Sequence, residues 1–243
     1  MTEIKNLRFS YGLDFTLAID TLAFPETGFV SLIGPNGSGK TTLLRIMTGL
    51  LRGYTGDVVY GGRPLNAMTR EETAGHVAYV PVYARPDGPV SVESFILSGA
   101  YRYGGEADIT GAAKLCGADK LLGKTFTELS SGEMKRVLIA RALVQGTDVI
   151  VMDEPFANLD PYYEMLVMEL VREISKKCLI ISAVHNVTVA SIISCMTAGL
   201  KNGGLVFTSE QAPNVAKLKD LYGAEFISVQ GHPFPDYFQN QLA

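Results

Sequence analysis

The sequence predicts an α/β fold built around a mostly parallel sheet, with an N-terminal antiparallel β part and an inserted helical subdomain. Residues 29–33, 148–152 and 178–184 are nearly continuous apolar runs, as in strands buried on both faces. Helical patterns separate these runs, and strands that alternate with helices form parallel sheets covered on both faces. Residues 4–11 alternate apolar and polar side chains and predict a half-buried strand of the N-terminal part, and residues 17–19 suggest another.

The length and composition fit a single domain over residues 1–243 with a full hydrophobic core. Hydrophobic residues make up 47% of the chain and charged residues 19%, and the net charge is -4 at pH 7. Because the chain has no basic excess, we expect no nucleic-acid partner. No apolar run approaches the roughly 18 residues of a membrane span, and the N-terminus lacks the apolar core of a signal peptide. We therefore expect a cytoplasmic protein.

Local patterns place further elements outside the three apolar runs. Residues 41–50 predict a helix, and residues 57–60 predict a strand. Residues 77–81 predict a strand that a proline ends, and residues 196–208 predict a β-hairpin with Asn-Gly-Gly at its turn. These elements extend the alternation of strand and helix on which the fold prediction rests.

The segment from about residue 86 to residue 145 differs from the rest, because helical patterns fill it and Gly and Pro interrupt them. We interpret it as the inserted helical subdomain. Its predicted helices lie at residues 92–100, 110–116 and 134–145. Residues 212–243 carry weak signals, and we assign them no function.

A segment with the spacing G-x-x-x-x-G-K-T follows the first apolar run and precedes a predicted helix. This is the context of a phosphate-binding loop, in which glycines let backbone N–H groups approach a phosphate. Lys40 adds a positive charge, the helix N-terminus favours an anion, and the Thr41 hydroxyl can bind Mg²⁺. We therefore predict a P-loop NTPase core with a triphosphate site formed by Gly34, Pro35, Asn36, Gly37, Ser38, Gly39, Lys40, Thr41 and Thr42.

Two carboxylates end the second apolar run. Asp153 lies where open α/β sheets bind ligands, at the carboxyl end of a buried strand, and could hold Mg²⁺ opposite Thr41. Glu154 comes next and could orient or deprotonate the water that attacks the γ-phosphate. The alternative is that either carboxylate only caps the following helix.

His185 ends the third apolar run, so we expect it at the same edge of the sheet, within reach of the γ-phosphate or the catalytic carboxylate. A structural histidine is the alternative. Asn158 to Asp160 form a polar loop before Pro161, and this loop could equally be the N-cap of the next helix.

Residues 129–133 read Leu-Ser-Ser-Gly-Glu and lead into a helical pattern. A Ser-Gly turn at a helix N-terminus, here with Ser130 and Gly132, is a second possible anion site. The alternative is an ordinary capping box between Ser130 and Glu133. Two anion sites on one chain make sense if one nucleotide is held between two protomers.

These motifs together resemble those of ATP-binding-cassette (ABC) ATPases over about residues 1–210. In chain order, residues 34–42 resemble the Walker A motif, 129–133 the LSGGQ signature, 149–154 the Walker B motif with its catalytic glutamate, and 158–160 the D-loop. His185 resembles the switch histidine. The resemblance therefore implies catalytic roles for Glu154 and His185.

Further residues sharpen the resemblance. Tyr11 matches the aromatic residue that stacks on adenine in this family, and a core tyrosine is the alternative. Ser130, Gly132 and Asp160 match positions that contact nucleotide. Residues 77–81, 97–101 and 221–223 look most like the importers for iron chelates, haem and vitamin B12.

The resemblance implies ATP and Mg²⁺ as cofactors and a homodimer around two ATP molecules. It also implies integral membrane permease subunits, which would hold the chain on the inner face of the cell membrane and import an iron chelate or a related metal-containing solute. One alternative is a soluble cassette ATPase without a permease, similar to the iron-sulfur assembly ATPase, whose signature also reads Ser-Gly-Glu followed by basic residues. The other is a nucleotide-dependent regulator with little turnover.

The chain departs from the family pattern at three places. Ser131 and Glu133 replace glycine and glutamine in the signature, and the segment between residues 97 and 129 is short. The glutamine of the family's Q-loop would follow Pro81, but Val82 stands there. An isopropyl group has no hydrogen-bond donor or acceptor, and this departure motivates the regulator alternative.

Overall fold

A computed structural model describes residues 1–84, 86–103, 107–210 and 212–236. Within them, one sheet contains ten strands and a separate hairpin contains two. The strands are β1 Thr2–Tyr11, β2 Phe15–Phe24, β3 Gly28–Ile33, β4 Thr55–Tyr60, β5 Arg63–Pro64, β6 Val77–Val80, β7 Val149–Asp153, β8 Leu179–Ala183, β9 Met196–Lys201, β10 Gly204–Ser209, β11 Phe226–Val229 and β12 His232–Pro235.

The described residues also form eight α-helices and several short 3₁₀ turns. The helices are α1 Lys40–Met47, α2 Arg70–His76, α3 Val92–Leu97, α4 Ile109–Leu115, α5 Ser131–Val144, α6 Pro161–Ser175, α7 Val187–Ile193 and α8 Val215–Tyr222. None of these helices combines the length and the apolar character that crossing a bilayer requires.

The sheet has a parallel part and an antiparallel part joined edge to edge, in the order β5-β4-β1-β2-β10-β9-β3-β8-β7-β6. Strands β9, β3, β8, β7 and β6 are parallel neighbours, whereas β1 runs antiparallel to both β2 and β4. The predicted α/β fold with an N-terminal antiparallel part is therefore confirmed. The parallel arrangement brings the carboxyl ends of β3, β7 and β8 to one edge.

Strand β3 shows why the apolar runs are continuous. Phe29 and Ile33 pack into one buried cluster and Val30 and Leu32 into another, so both faces of the strand are covered. Helix α1 supplies side chains to the second cluster, and helices α3 to α8 supply side chains to the first. A strand enclosed on both faces has no position for a polar side chain that faces water.

The predicted end of the helix 41–50 and the predicted start of the helix 134–145 are wrong, and local chemistry explains both. Helix α1 ends at Met47 rather than near residue 50, because Gly49 takes a left-handed φ of 71° and its N–H donates to the Ile46 carbonyl. Helix α5 begins at Ser131 rather than residue 134, because Ser130 accepts a hydrogen bond from the Glu133 N–H and caps it.

Between β6 and β7 the described residues contain helices α3, α4 and α5, which pack on one another, together with short 3₁₀ turns. The predicted helix 92–100 is divided, because α3 ends at Leu97 and a 3₁₀ segment follows it with a break at Ala100. The subdomain boundaries at about residues 86 and 145 stay a prediction. The C-terminal stretch, whose signals were weak, forms α8 and the β11–β12 hairpin, and residues 237–243 lie outside the described residues.

Candidate active site

The phosphate loop connects the end of β3 to the start of α1 and has a conformation that requires glycine. Gly34 has a φ of 148°, and a Cβ there would lie 2.0 Å from the Leu200 carbonyl oxygen of β9. Gly39 is the N-cap of α1 with a φ of 102°, and a Cβ there would come within 2.9 Å of Phe15 and Leu17. The loop is thus pressed against the antiparallel part of the sheet, with the helix N-terminus beside it.

An open cavity of about 440 Å³ lies over this loop. It brings together the phosphate loop and residues from three other parts of the chain, which are separated in sequence. The lining residues are Tyr11, Phe15, Asn36, Gly37, Ser38, Gly39, Lys40, Thr41, Thr42, Glu154 and His185. Among them, Ser38 has a buried hydroxyl oxygen without a hydrogen-bond partner. A phosphate oxygen in the cavity would satisfy this hydroxyl.

Lys40 is only 6% exposed, and its Nζ donates to the carbonyl oxygens of Gly34 at 2.7 Å and Pro35 at 3.0 Å. Burial lowers the pKa of Lys40, while the nearby carboxylates of Glu154 and Asp153 raise it. The lysine therefore stands at the base of the cavity as a desolvated cation, where its attraction for an anion is stronger than in water.

Thr41 and Asp153 meet as the sequence predicted. The Thr41 hydroxyl donates to Asp153 Oδ1 at 3.2 Å, across the edge of the sheet. Burial raises the pKa of Asp153, and the hydrogen bond from Thr41 and the charges of Arg45 and Lys135 lower it. A hydroxyl and a carboxylate oxygen placed together could hold Mg²⁺, which prefers oxygen and retains several waters. The described residues contain no cluster of three or more side chains able to hold a metal by themselves.

The two predicted catalytic residues are also neighbours. His185 Nε2 lies 2.6 Å from Glu154 Oε1, and both side chains line the cavity. An ionised carboxylate can only accept, so the imidazole donates this hydrogen bond. The contact fixes the direction of the Glu154 carboxylate, while its second oxygen stays available to a water molecule.

The backbone of Glu154 is strained. Its φ is 48°, in the left-handed region that a non-glycine residue rarely adopts. Its N–H donates to the Ala183 carbonyl at 3.2 Å, and its own carbonyl accepts from the Ala157 N–H and from Lys135 Nζ, each at 3.1 Å. Strained residues persist only where their surroundings hold them, and they concentrate at functional sites.

Ser130, Gly132 and Asp160 do not line this cavity. Ser130 and Glu133 form the capping box that is the alternative interpretation of this turn. The Glu133 N–H donates to Ser130 Oγ at 3.3 Å, and the Ser130 N–H donates to Glu133 Oε2 at 2.8 Å. Asp160 likewise caps α6 by accepting from the Tyr163 N–H at 3.0 Å. A Cβ at Gly132 would lie 2.7 Å from the Tyr163 ring, so the two helix starts are close neighbours.

Tyr11 is exposed, so the alternative of a core tyrosine is wrong. Its side chain is 45% exposed at the mouth of the cavity, where it contacts Phe9 edge to face at 4.7 Å between ring centroids. Phe15 lies 6.3 Å from it and lines the same cavity. Phe15 was not predicted from the sequence, although its place one tight turn after Tyr11 could have indicated it.

Two long-range contacts were not predicted from the sequence. The Gly34 N–H donates to the Tyr222 hydroxyl of α8 at 3.0 Å, and burial raises the pKa of this tyrosine to about 12. Lys135, which was not predicted as a site residue, donates to the Glu154 carbonyl in the turn after β7. Tyr222 belongs to the C-terminal segment 221–223 that resembled the importers, and that likeness was the available signal.

Backbone N–H groups, a buried lysine and a Thr–Asp pair converge on a loop between a parallel strand and a helix, an arrangement that binds nucleoside triphosphates. The class defined by this fold and site is that of the P-loop NTPases. The sequence pattern of the ABC transporter family matches residues 18–157. The chain belongs to this family and is an ABC ATPase.

Several relatives are similar over most of the chain. The petrobactin import ATP-binding protein of Bacillus subtilis is 27% identical over 233 residues, covering 91% of this chain and 92% of that protein. The hemin import ATP-binding protein of Pseudomonas fluorescens is 29% identical, with 96% of each chain covered. The manganese transport system ATP-binding protein of B. subtilis is 32% identical, with 76% of each covered.

Two solved structures share the fold. A metal-chelate type ABC transporter in an inward-facing conformation superposes with a TM-score of 0.80, at 20% identity and 98% coverage of both chains. A dimeric ATP-binding cassette in a post-hydrolysis state with ADP and Pi gives a TM-score of 0.72 at 22% identity, covering 88% of this chain and all of that one. The P-loop NTPase fold is therefore confirmed.

Proposed function

We propose that this chain is the ATPase subunit of an importer, that it dimerises around two Mg-ATP, and that it drives a separate membrane permease. The observation on which the proposal rests is the distribution of site residues over two surfaces. The phosphate loop, Glu154 and His185 share one cavity, whereas Ser130 and Asp160 stand exposed at helix N-termini elsewhere. A nucleotide held between two protomers would use both surfaces.

Within one protomer, the residues divide the chemistry between them. Lys40 and the N–H groups of the phosphate loop would bind the β- and γ-phosphates. Thr41 and Asp153 would hold Mg²⁺, which neutralises charge on the phosphates. Glu154 would accept a proton from the attacking water, with His185 orienting its carboxylate.

The second protomer would complete the site. Ser130 and the backbone around Gly132 would meet the γ-phosphate bound to the partner, since the N-terminus of α5 favours an anion. The absence of a side chain at Gly132 lets this turn pack against the ring of Tyr163, beside the loop that ends at Asp160.

Ser130→Arg is expected to leave ATP binding to the single chain intact and to block hydrolysis. A long side chain at this exposed turn would fill the space that the partner's phosphate needs, while the cavity over the phosphate loop stays unchanged. Nucleotide titration and phosphate release measure the two effects separately. Hydrolysis at the wild-type rate in this variant would show that Ser130 acts only as the N-cap of α5.

Mixing Ser130→Arg with Glu154→Gln is a control for action in trans. Each mixed dimer contains one composite site with both defects and one composite site with neither. Turnover should therefore return in the mixture, above either variant alone. No recovery in mixtures that form heterodimers would contradict the shared site.

The names of the relatives support the proposed solute. They include import proteins for petrobactin and hemin and a manganese transport protein. An iron chelate or a related metal-containing solute is the class these names share. The permease would hold the chain at the inner face of the membrane.

A groove of about 500 Å³ is the surface we propose for the permease. It lies beside β6 and the insertion, where Pro81 and Arg141 line it and Leu50 is 65% exposed at its wall. A partner bound there would contact both the sheet and the helical insertion. Movements of the ATP site could then pass to the membrane subunit.

Leu50→Asp is expected to reduce recovery of the permease with this chain from membranes, because a charge would replace the exposed apolar contact. The ATPase rate of the isolated chain should stay within about two-fold of wild type. The matched control is Ile227→Asp, which alters an apolar side chain 46% exposed on the C-terminal hairpin. Equal recovery with both variants would exclude the groove as the docking surface.

The alternatives predict other outcomes. A soluble cassette ATPase without a permease would leave no membrane subunit to recover with the wild-type chain. A regulator, the alternative motivated by Val82, would show ATP binding with negligible phosphate release. Measuring both properties on the wild-type chain separates the three functions.

A further inference from the structure

Lys135 is a buried cation in the first turns of α5. Its side chain is 4% exposed, and its Nζ donates to the carbonyl oxygens of Val82 at 2.6 Å and Glu154 at 3.1 Å. Burying an ammonium group is costly unless hydrogen bonds compensate for the lost water. Burial lowers the pKa of Lys135 to about 8, although the carboxylates of Glu154 and Asp153 raise it.

The two acceptors lie on neighbouring loops of the ATP site. Val82 follows β6 and Glu154 follows β7, and these strands are parallel neighbours in the sheet. Lys135 therefore joins the entry of the helical insertion to the turn that contains Glu154. The same helix begins at Ser130, so one short segment connects the signature turn with both loops.

The hydrogen bond from Lys135 to the Glu154 carbonyl stabilises a strained peptide. Three hydrogen bonds hold the left-handed backbone of Glu154: its N–H donates one, and its carbonyl accepts two. Lys135 donates one of the two that the carbonyl accepts. Rotation of this peptide would turn the carboxylate away from His185. A displacement of about 1 Å in a reacting group can lower a rate roughly 10²-fold.

We propose that Lys135 is a positioning residue, which holds the Glu154 turn and the Val82 loop in register so that the Glu154 carboxylate faces the attacking water. This inference depends on the proposed role of Glu154. It also gives a physical account of Val82. The valine side chain has no hydrogen-bonding group, and the link between the Q-loop position and the catalytic turn passes instead through its main-chain carbonyl and the lysine.

Lys135→Met is the direct test, because methionine has similar length and no donor. We expect kcat for ATP hydrolysis to fall roughly 10- to 100-fold, with the Kd for ATP within about three-fold of wild type. Lys135→Gln keeps a neutral donor on a shorter side chain, and its kcat should lie between those of the methionine variant and wild type. Lys120→Met alters an exposed lysine of the same insertion and is the matched control.

A double variant distinguishes positioning from general stabilisation. Because Lys135 acts through Glu154, Lys135→Met combined with Glu154→Gln should hydrolyse ATP no more slowly than Glu154→Gln alone, within about two-fold. If the kcat losses of the two single variants multiply in the double variant, the proposal is overturned. A folded Lys135→Met protein with wild-type kcat, or with an affinity for ATP that falls as much as kcat, would also overturn it. If the methionine variant does not fold, wild-type kcat in Lys135→Gln would overturn it. Wild-type turnover in Glu154→Gln alone would instead contradict the proposed catalytic role.

Discussion

Glu154→Gln is expected to slow ATP hydrolysis by roughly 10²- to 10⁴-fold while ATP binding is retained. An amide has nearly the shape of a carboxylate, but it does not take a proton from water. The bonds that hold the backbone of this residue involve its N–H and carbonyl, so they survive the substitution. Lys40, Thr41 and Asp153 stay in place to bind Mg-ATP.

Phosphate release measures the rate of hydrolysis, and gel filtration with Mg-ATP shows whether the ATP-bound dimer persists. The variant should release phosphate slowly and elute as a dimer, because the ATP that closes the interface persists. The wild-type chain under the same conditions is the control. A monomeric variant beside a wild type that hydrolyses normally would contradict the proposed ATP sandwich.

Lys40→Ala is expected to lose ATP binding itself, by roughly 10²-fold or more in affinity. Hydrogen bonds from a charged donor contribute about 1.5–3 kcal/mol each, and the ammonium group would make them to the phosphates. The substitution also removes the bonds from Nζ to the Gly34 and Pro35 carbonyls, so the loop loses an internal link. Turnover falls because the substrate is no longer bound.

Equilibrium titration with a fluorescent ATP analogue, without turnover, is the appropriate measurement. Lys120→Ala is the control, because it removes a lysine charge at an exposed position of the helical insertion. Unchanged ATP affinity in Lys40→Ala, with the control also unchanged, would count against the assignment of the whole site. The contrast with Glu154→Gln separates binding from chemistry.

The phosphate loop could be predicted from the sequence because its chemistry is local. The conformation and the charge of this short loop follow from its glycines, its lysine and its threonine. Asp153, Glu154 and His185 could be placed at the same edge because each ends a run of apolar residues, and parallel strands end together. The distance of 3.2 Å from Thr41 to Asp153 agrees with that reasoning.

Contacts that depend on the packing of distant segments could not be predicted in this way. The Gly34 N–H and the Tyr222 hydroxyl are 188 residues apart, and no spacing rule connects them. The burial of Lys135 could not be predicted either, since only the three-dimensional fold brings the carbonyl groups of Val82 and Glu154 to it. The end of α1 was placed too late because the apolar pattern continues past Gly49, whereas backbone conformation ends the helix there.

The order of strands in the sheet has a consequence for synthesis on the ribosome. Strand β3, which presents the phosphate loop, lies between β8 and β9, and both of these follow residue 178. The nascent chain therefore contains the phosphate loop long before it contains the two strands that enclose β3. A ligand stabilises only the form of a chain that binds it, so ATP can support this loop only once the loop has its binding conformation. A prematurely terminated product would leave the edges of β3 unpaired, and unpaired strand edges make incomplete chains prone to aggregation.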